Sequence, residues 1–209
     1  NVEGKKLLLR TDLNLPLENG RPQKTVRFDR YLETIREVSK EGAKTVILAH
    51  QGRPGRNDFT SLENHAELLD EELDEKVHFI SSILGGEVGA KLENMEDGEV
   101  ALMENIRLMS EELKNFDGEK HAKSIYVNKL ADKFDLYMND GFSVAHRSQA
   151  SIVGFPELME SEAGPVMGEE LENCRKIRDE CNSGVLVLGG EKPSDLIGII
   201  ESKIESVSK

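Results

Sequence analysis

Four short apolar runs in this chain each hand over, within a few residues, to groups able to hold an anion. Val46-Ile47-Leu48-Ala49 leads into His50, Gly52, Arg53 and Pro54, and Leu7-Leu8-Leu9 leads into Asp12 and Asn14. Val100-Ala101-Leu102-Met103 leads into Asn105 and Arg107, and Leu136-Tyr137-Met138 into Asn139, Asp140, His146 and Arg147. A guanidinium presents a planar fork of donors matched to carboxylate and phosphate oxygens. Converging arginines therefore point to a small ligand carrying both groups, with Asp12 and Asn14 placed to exchange hydrogen bonds with its hydroxyl. Arg27 comes after the first of these loops and can join the set. Taken singly, an arginine is more often a surface ion-pair partner than a ligand group, and either histidine is more often structural. Recurrence at four strand ends shifts that balance.

For these groups to meet, the runs must lie side by side as parallel strands. The pattern between them supports this. Lys6–Arg10, Val46–Ala49, Val77–Ile80, Glu99–Met103 and Leu136–Met138 read as buried strands. Phe28–Glu41, Leu62–Leu73 and Lys120–Lys133 carry apolar residues at helical spacing. Strands alternating with helices predict an α/β fold, a Rossmann-like three-layer α/β/α arrangement around a mainly parallel sheet. The loops at the ends of its strands then share one edge, where open sheets bind ligands. Glu18-Asn19-Gly20 reads as a turn, and Gly85 to Leu92 as either a short helix or a loop.

Near the end a second unit begins. The expected division is a first domain over 1–165, a connecting helix over 166–183, and the first strand and helix of a second α/β domain over 184–209. Within the last segment, Gly189-Gly190 and Lys192 come after the apolar run Val185–Leu188 and can bring N–H groups and an ammonium to a phosphate. Glycine pairs are also commonly plain turns.

Composition narrows the function classes. A net charge of -13 over 209 residues argues against nucleic acid or an anionic membrane as a main partner, and makes an arginine cluster informative. Cys174 and Cys181 are seven residues apart on a predicted helix, about 10 Å along its axis, too far for an easy disulfide. Two reduced thiols suit a cytoplasmic protein. No apolar run approaches the ~20 residues of a membrane span. No P-loop, Gly-x-Gly-x-x-Gly fingerprint, Gly-x-Ser-x-Gly elbow or helical histidine pair is present, so no metal site is expected.

At these residues the sequence resembles the phosphoglycerate kinase family over nearly its whole length. Arg10-Thr11-Asp12-Leu13-Asn14-Leu15-Pro16, His50-Gln51-Gly52-Arg53-Pro54, Glu104-Asn105-Ile106-Arg107, Asn139-Asp140-Gly141-Phe142 with Ala145-His146-Arg147, and Leu188-Gly189-Gly190-Glu191-Lys192 stand in the family's order. The last resembles its Leu-Gly-Gly-Ala-Lys segment, and the stretch from Phe142 to Arg147 resembles archaeal members. The resemblance implies reversible phosphoryl transfer between 1,3-bisphosphoglycerate and ADP, giving 3-phosphoglycerate and ATP with magnesium. It implies a 3-phosphoglycerate site of Asp12, Asn14, Arg27, His50, Arg53, Arg107 and Arg147, with Arg27 stabilising charge on the transferring group, and Lys192 on the nucleotide phosphates. Two departures stand out. Gln23-Lys24-Thr25-Val26 replaces the usual neighbours of Arg27, and Leu196 stands where many members have a second lysine. The resemblance further implies that most of the nucleotide-binding domain lies outside these 209 residues. The expectation is a piece that carries the 3-phosphoglycerate half, binds no metal itself and turns over little alone. The alternative is a non-catalytic module that binds a small phosphorylated carboxylic acid.

Overall fold

The computed structural model describes residues 2–179 and the separate positions 187, 197, 198, 200 and 201. The chain divides into two compact units, Asn1–Glu170 and Leu171–Lys209. The first unit holds the sheet and its helices.

The chain runs through β1 (Lys6–Arg10), a small antiparallel hairpin of β2 (Leu17–Glu18) and β3 (Arg21–Pro22), α1 (Val26–Lys40), β4 (Lys44–Leu48), α2 (Glu63–Glu72) and β5 (Val77–Ile80). It continues through α3 (Gly86–Asn94), β6 (Val100–Met103), α4 (Gly118–Ala122), α5 (Ile125–Ala131), β7 (Leu136–Asn139), β8 (Ser161–Ala163) and α6 (Pro165–Asp179). Six strands form one sheet in the order β5-β6-β4-β1-β7-β8, and every neighbouring pair is parallel.

Alternation along the strands divides the core in two, as the pleat requires. Leu7, Leu9, Ile47 and Leu102 pack with Phe28, Leu32 and Ile35 of α1 and with Ala66 and Leu69 of α2. Leu8, Val46, Leu48, Ala101 and Met103 point the other way, onto Val88 and Leu92 of α3 and Tyr126, Val127 and Leu130 of α5. The result is the expected three layers, built on strands buried on both faces. The central residues Leu7, Leu8 and Leu9 are fully buried.

The termini of α1 show how local chemistry fixes the frame. Thr25 caps its start, its hydroxyl accepting from the Phe28 N–H at 3.2 Å. The helix therefore begins before the predicted Phe28, and Arg27 sits in its first turn. Gly42 ends it at φ +84°, the left-handed conformation that glycine adopts without steric cost. The predicted helix over Lys120–Lys133 is interrupted. Ser124 starts a new helix by accepting from the Val127 N–H, so α4 and α5 replace one longer element. Gly85 to Leu92 resolves as a helix, α3.

The chain leaves β1 toward β4 but leaves β7 toward β8, on the other side of the sheet. That reversal opens a crevice between the carboxyl ends of β1 and β7, the place where doubly wound sheets take ligands. Among the described residues, no helix is long and apolar enough to cross a membrane.

Candidate functional site

Along this carboxyl edge lies a cleft of about 630 Å³ lined by Asn14, His50, Gly52, Arg53, Gly55, Arg56, Asn57, Asp58, Arg107 and Arg147. Arg53, Arg56, Arg107 and Arg147 have no carboxylate within ion-pair distance among the described residues. Their shared field is felt at Arg107, which is nearly buried and donates to the Gly52 carbonyl. Burial first, then Arg147, Arg53 and Arg10, lower its pKa from 12.5 to about 10. Four cations share the cleft with one carboxylate, Asp58, and none of the four is ion-paired among the described residues, which suits the site to an oxyanion.

The His50–Asp58 loop is held both by contacts from beneath and by bonds of its own. Gln51 is buried and uses both ends of its amide: Oε1 accepts from the Leu15 N–H at 2.9 Å and from His65 Nε2, while Nε2 donates to the Leu15 and Asp58 carbonyls. The Gly52 N–H donates to Asn14 Oδ1 at 2.8 Å. Gly52 itself stands at φ +61°, and a Cβ there would lie 2.3 Å from the Asp58 carbonyl oxygen. No other residue type fits that approach.

His50 is buried, and its Nδ1 accepts from Arg10 Nη2 at 3.1 Å. Burial, then the charges of Arg10, Arg107, Arg147 and Arg27, push its pKa far below the usual imidazole range, so the ring is neutral at physiological pH. Asp12 is also buried. Its Oδ1 accepts from the Asn14 N–H at 3.1 Å and its Oδ2 from the Ser143 hydroxyl. Arg27 Nη1 lies 3.2 Å from Asp12 Oδ2, and Arg27 Nη2 donates to the Asn14 carbonyl at 3.0 Å. The Arg27 side chain is 42% exposed. Water therefore reaches the arginine end of the pair, while Asp12 at the other end is buried.

The structure thus brings Asn14, His50, Arg53, Arg107 and Arg147 to one cleft. Arg27 lines an adjoining hollow of about 530 Å³ that shares Asn14 and Asp58 with the cleft, and Asp12 ties Arg27 to it from behind. Lys192, Gly189, Gly190 and Leu196 lie outside the described residues, as does Cys181; Cys174 is an exposed free thiol. Some strand-end groups serve the scaffold instead of the cleft. Asn105 donates to the Gln51 and Thr60 carbonyls and accepts from the Arg107 N–H. Asp140 accepts from Thr34 Oγ1 and the Met167 N–H, binding α1 and α6 to the sheet. His146 is exposed and does not line the cleft.

Sequence reasoning missed Arg56 and Arg10. Arg56 stands three residues beyond Arg53, with its N–H bonded to the Arg53 carbonyl; that turn spacing was the available signal. Arg10 reads as the end of a strand, and its partner Ser151 lies 141 positions away.

The cleft is lined mainly by guanidinium groups, with one neutral imidazole, two amides and the single carboxylate of Asp58, a set better suited to oxyanions than to a hard cation. Among the described residues no three of His, Cys, Asp and Glu gather as metal ligands.

Comparison with known proteins gives one consistent answer. A phosphoglycerate kinase family model matches residues 1–209. The chain is 45% identical over 204 residues to the phosphoglycerate kinase of Methanopyrus kandleri, covering 97% of this chain and 50% of that protein. It is 41% identical over 206 residues to that of Halorubrum lacusprofundi, covering 98% and 51%. The crystal structure of phosphoglycerate kinase from Pyrococcus horikoshii superposes with a TM-score of 0.94 at 38% identity, over 99% of this chain and 52% of that one. That from Coxiella burnetii gives 0.79 at 30% identity, with 99% and 51% covered. The chain therefore spans about half the length of the curated relatives it matches. A matching family model over the full chain and a fold shared with a solved phosphoglycerate kinase agree: the chain belongs to the phosphoglycerate kinase family.

Proposed function

We propose that this chain carries the acid-substrate half of a phosphoglycerate kinase, which passes a phosphoryl group reversibly between 1,3-bisphosphoglycerate and ADP to give 3-phosphoglycerate and ATP. One observation carries the reading: Arg53, Arg107 and Arg147 converge on the cleft without carboxylate partners among the described residues, beside Asn14 and neutral His50.

Phosphoryl transfer asks a protein mainly to position its reactants and to stabilise charge. In this reading the cleft arginines hold the phosphate that is not transferred. Asn14 and Asp12 take the ligand hydroxyl. Arg27, half in water and lightly tied to Asp12, turns toward the carboxyl and steadies the charge on the group in transit. Lys192 is assigned to the nucleotide phosphates. Magnesium fits poorly with the cleft's own donors and belongs with ATP or ADP. The cytoplasm is the matching compartment, and neither nucleic acid nor a membrane is a partner in this reading. The division at 1–165, 166–183 and 184–209 assigns acid binding to the first segment.

Calorimetry with 3-phosphoglycerate tests this. The 209-residue chain should bind one equivalent, and Arg53→Ala and Arg147→Ala should each weaken binding without loss of stability. Unaltered affinity in both variants would remove the cleft from the mechanism. Coupled turnover, with ADP and 1,3-bisphosphoglycerate, should be little or none for this chain alone; turnover at a normal rate would refute the assignment of half the site to it.

A further inference from the structure

Behind the cleft lies a buried chain of polar groups that ligand binding does not itself require. Glu112 is 1% exposed, and its carboxylate accepts from both the backbone N–H and the hydroxyl of Ser151. The same Ser151 hydroxyl accepts from Arg10 Nε at 3.1 Å. Arg10 is fully buried; its Nη1 donates to the Thr11 carbonyl and its Nη2 to His50 Nδ1 at 3.1 Å. The Tyr137 hydroxyl donates to the Ser151 carbonyl and fixes that residue from the opposite side. All three nitrogens of the guanidinium are thus engaged.

A guanidinium has donors only. A ring nitrogen that receives its N–H must present a lone pair, so the proton of a neutral imidazole sits on the other nitrogen. Among the described residues His50 Nε2 has no hydrogen-bond partner, and it is not one of the buried unpaired atoms, so it is open to the cleft that His50 lines. We propose that Arg10, braced by Ser151 and Glu112, is a positioning residue that locks His50 as the neutral Nε2–H tautomer, giving the anion site a directed N–H donor.

The physical gain is direction without added charge. The cleft already gathers four arginines, and an imidazolium would deepen their mutual repulsion when no ligand is bound. A mixture of tautomers would leave a lone pair facing the anion part of the time. Arg10 disfavours both alternatives from a position where it touches no ligand, and does so against the Asp12 carboxylate, whose Oδ1 stands 4.0 Å from the same Nδ1 and would favour a proton there. The proposal rests on the anion-binding reading of the cleft, but the lock itself is readable without any ligand.

Long-range proton–nitrogen correlation spectra of the full chain, with histidine labelled in both ring nitrogens, make the test; His50→Gln identifies the resonances. Expected is a bare Nδ1 and a protonated Nε2, unchanged between pH 8 and 5. A protonated Nδ1, exchanging tautomers or an ordinary titration near pH 6.5 would overturn the lock, with no variant needed. Arg10→Gln should return His50 to mixed tautomers and an ordinary titration, and weaken 3-phosphoglycerate binding about tenfold, as one charge-assisted hydrogen bond is lost. Ser151→Ala, a smaller change, should shift His50 in the same sense if Arg10→Gln fails to fold. A His50 spectrum unaltered in the folded variants would refute the role of Arg10. A locked His50 in a chain that binds no 3-phosphoglycerate would instead leave the lock standing and sink the functional reading.

Discussion

Replacing Arg107 by methionine should leave the free protein at least as stable while it ruins the cleft. Arg107 is 6% exposed and faces Arg147, Arg53 and Arg10 without a carboxylate in contact. The drop of its pKa from 12.5 to about 10 corresponds to about 3 kcal/mol of unfavourable free energy for the charged form. Methionine keeps most of the aliphatic stem and removes the charge. It forfeits the charge-assisted bond to the buried Gly52 carbonyl, a loss of about 1.5–3 kcal/mol. The balance is a gain of roughly 0–1.5 kcal/mol in phosphate-free buffer, in keeping with the tension between binding and stability at functional sites. The assay is urea denaturation, in a low-salt buffer of monovalent ions and again with 3-phosphoglycerate. Wild type should be stabilised strongly by the ligand and the variant scarcely, so their order reverses as ligand is added. If Arg107→Met is less stable than wild type by more than 1 kcal/mol without anions, the picture of an uncompensated arginine cluster is wrong.

Three further outcomes rest on the same geometry. Gly52→Ala should lower stability by about 2–4 kcal/mol, because positive φ and contact with the Asp58 backbone act together; equilibrium denaturation reads this, and a loss under 1 kcal/mol would mean the loop yields freely. His65 is buried, which pushes its pKa down to about 4, whereas an unfolded histidine takes up its proton near 6.5. The unfolded state therefore binds more protons as pH falls from about 6.5 to 4, and up to about 3 kcal/mol of stability is lost across that window; His65→Gln should flatten the profile measured by denaturation at pH 7, 5.5 and 4. Arg53 is exposed at the cleft mouth, so Arg53→Ala should shift stability by less than about 0.5 kcal/mol yet cost about 1.5–3 kcal/mol in 3-phosphoglycerate binding, the latter read by calorimetry.

The strand ends were legible because this sheet is buried on both faces. Runs such as Leu7–Leu9 and Val100–Met103 have no polar residue to blur them, and the loop after each is polar by contrast. Edge strand β8 was not legible: Ser161, Glu162 and Ala163 are all exposed, so no apolar periodicity marks them. The break between α4 and α5 came from a cap at Ser124 inside a stretch whose apolar spacing alone favoured continuity. Within the site, residue type told which groups suit an anion but not which way each turns. Asn105 and Asp140 looked like ligand groups and instead satisfy loop and helix backbones. Arg10 looked like the end of a strand and instead joins Ser151 and His50, a pairing set by the completed fold.

The placement of β1 at the centre of the sheet has a consequence in time. Leu7 pairs with Thr45 on one side and with Leu136 on the other. The first partner arrives after a single helix; the second requires nearly the whole first unit to have left the ribosome. The crevice at the β1–β7 seam is therefore closed by a contact of very long loop, the kind that forms slowly because its closure entropy comes before any reward. The four strands from β5 to β1 can assemble first and already present Arg53 and Arg107. Arg147 and the Ser151 brace come only with β7 and the segment after it, so the capacity to grip an anion is among the last properties the folding chain acquires.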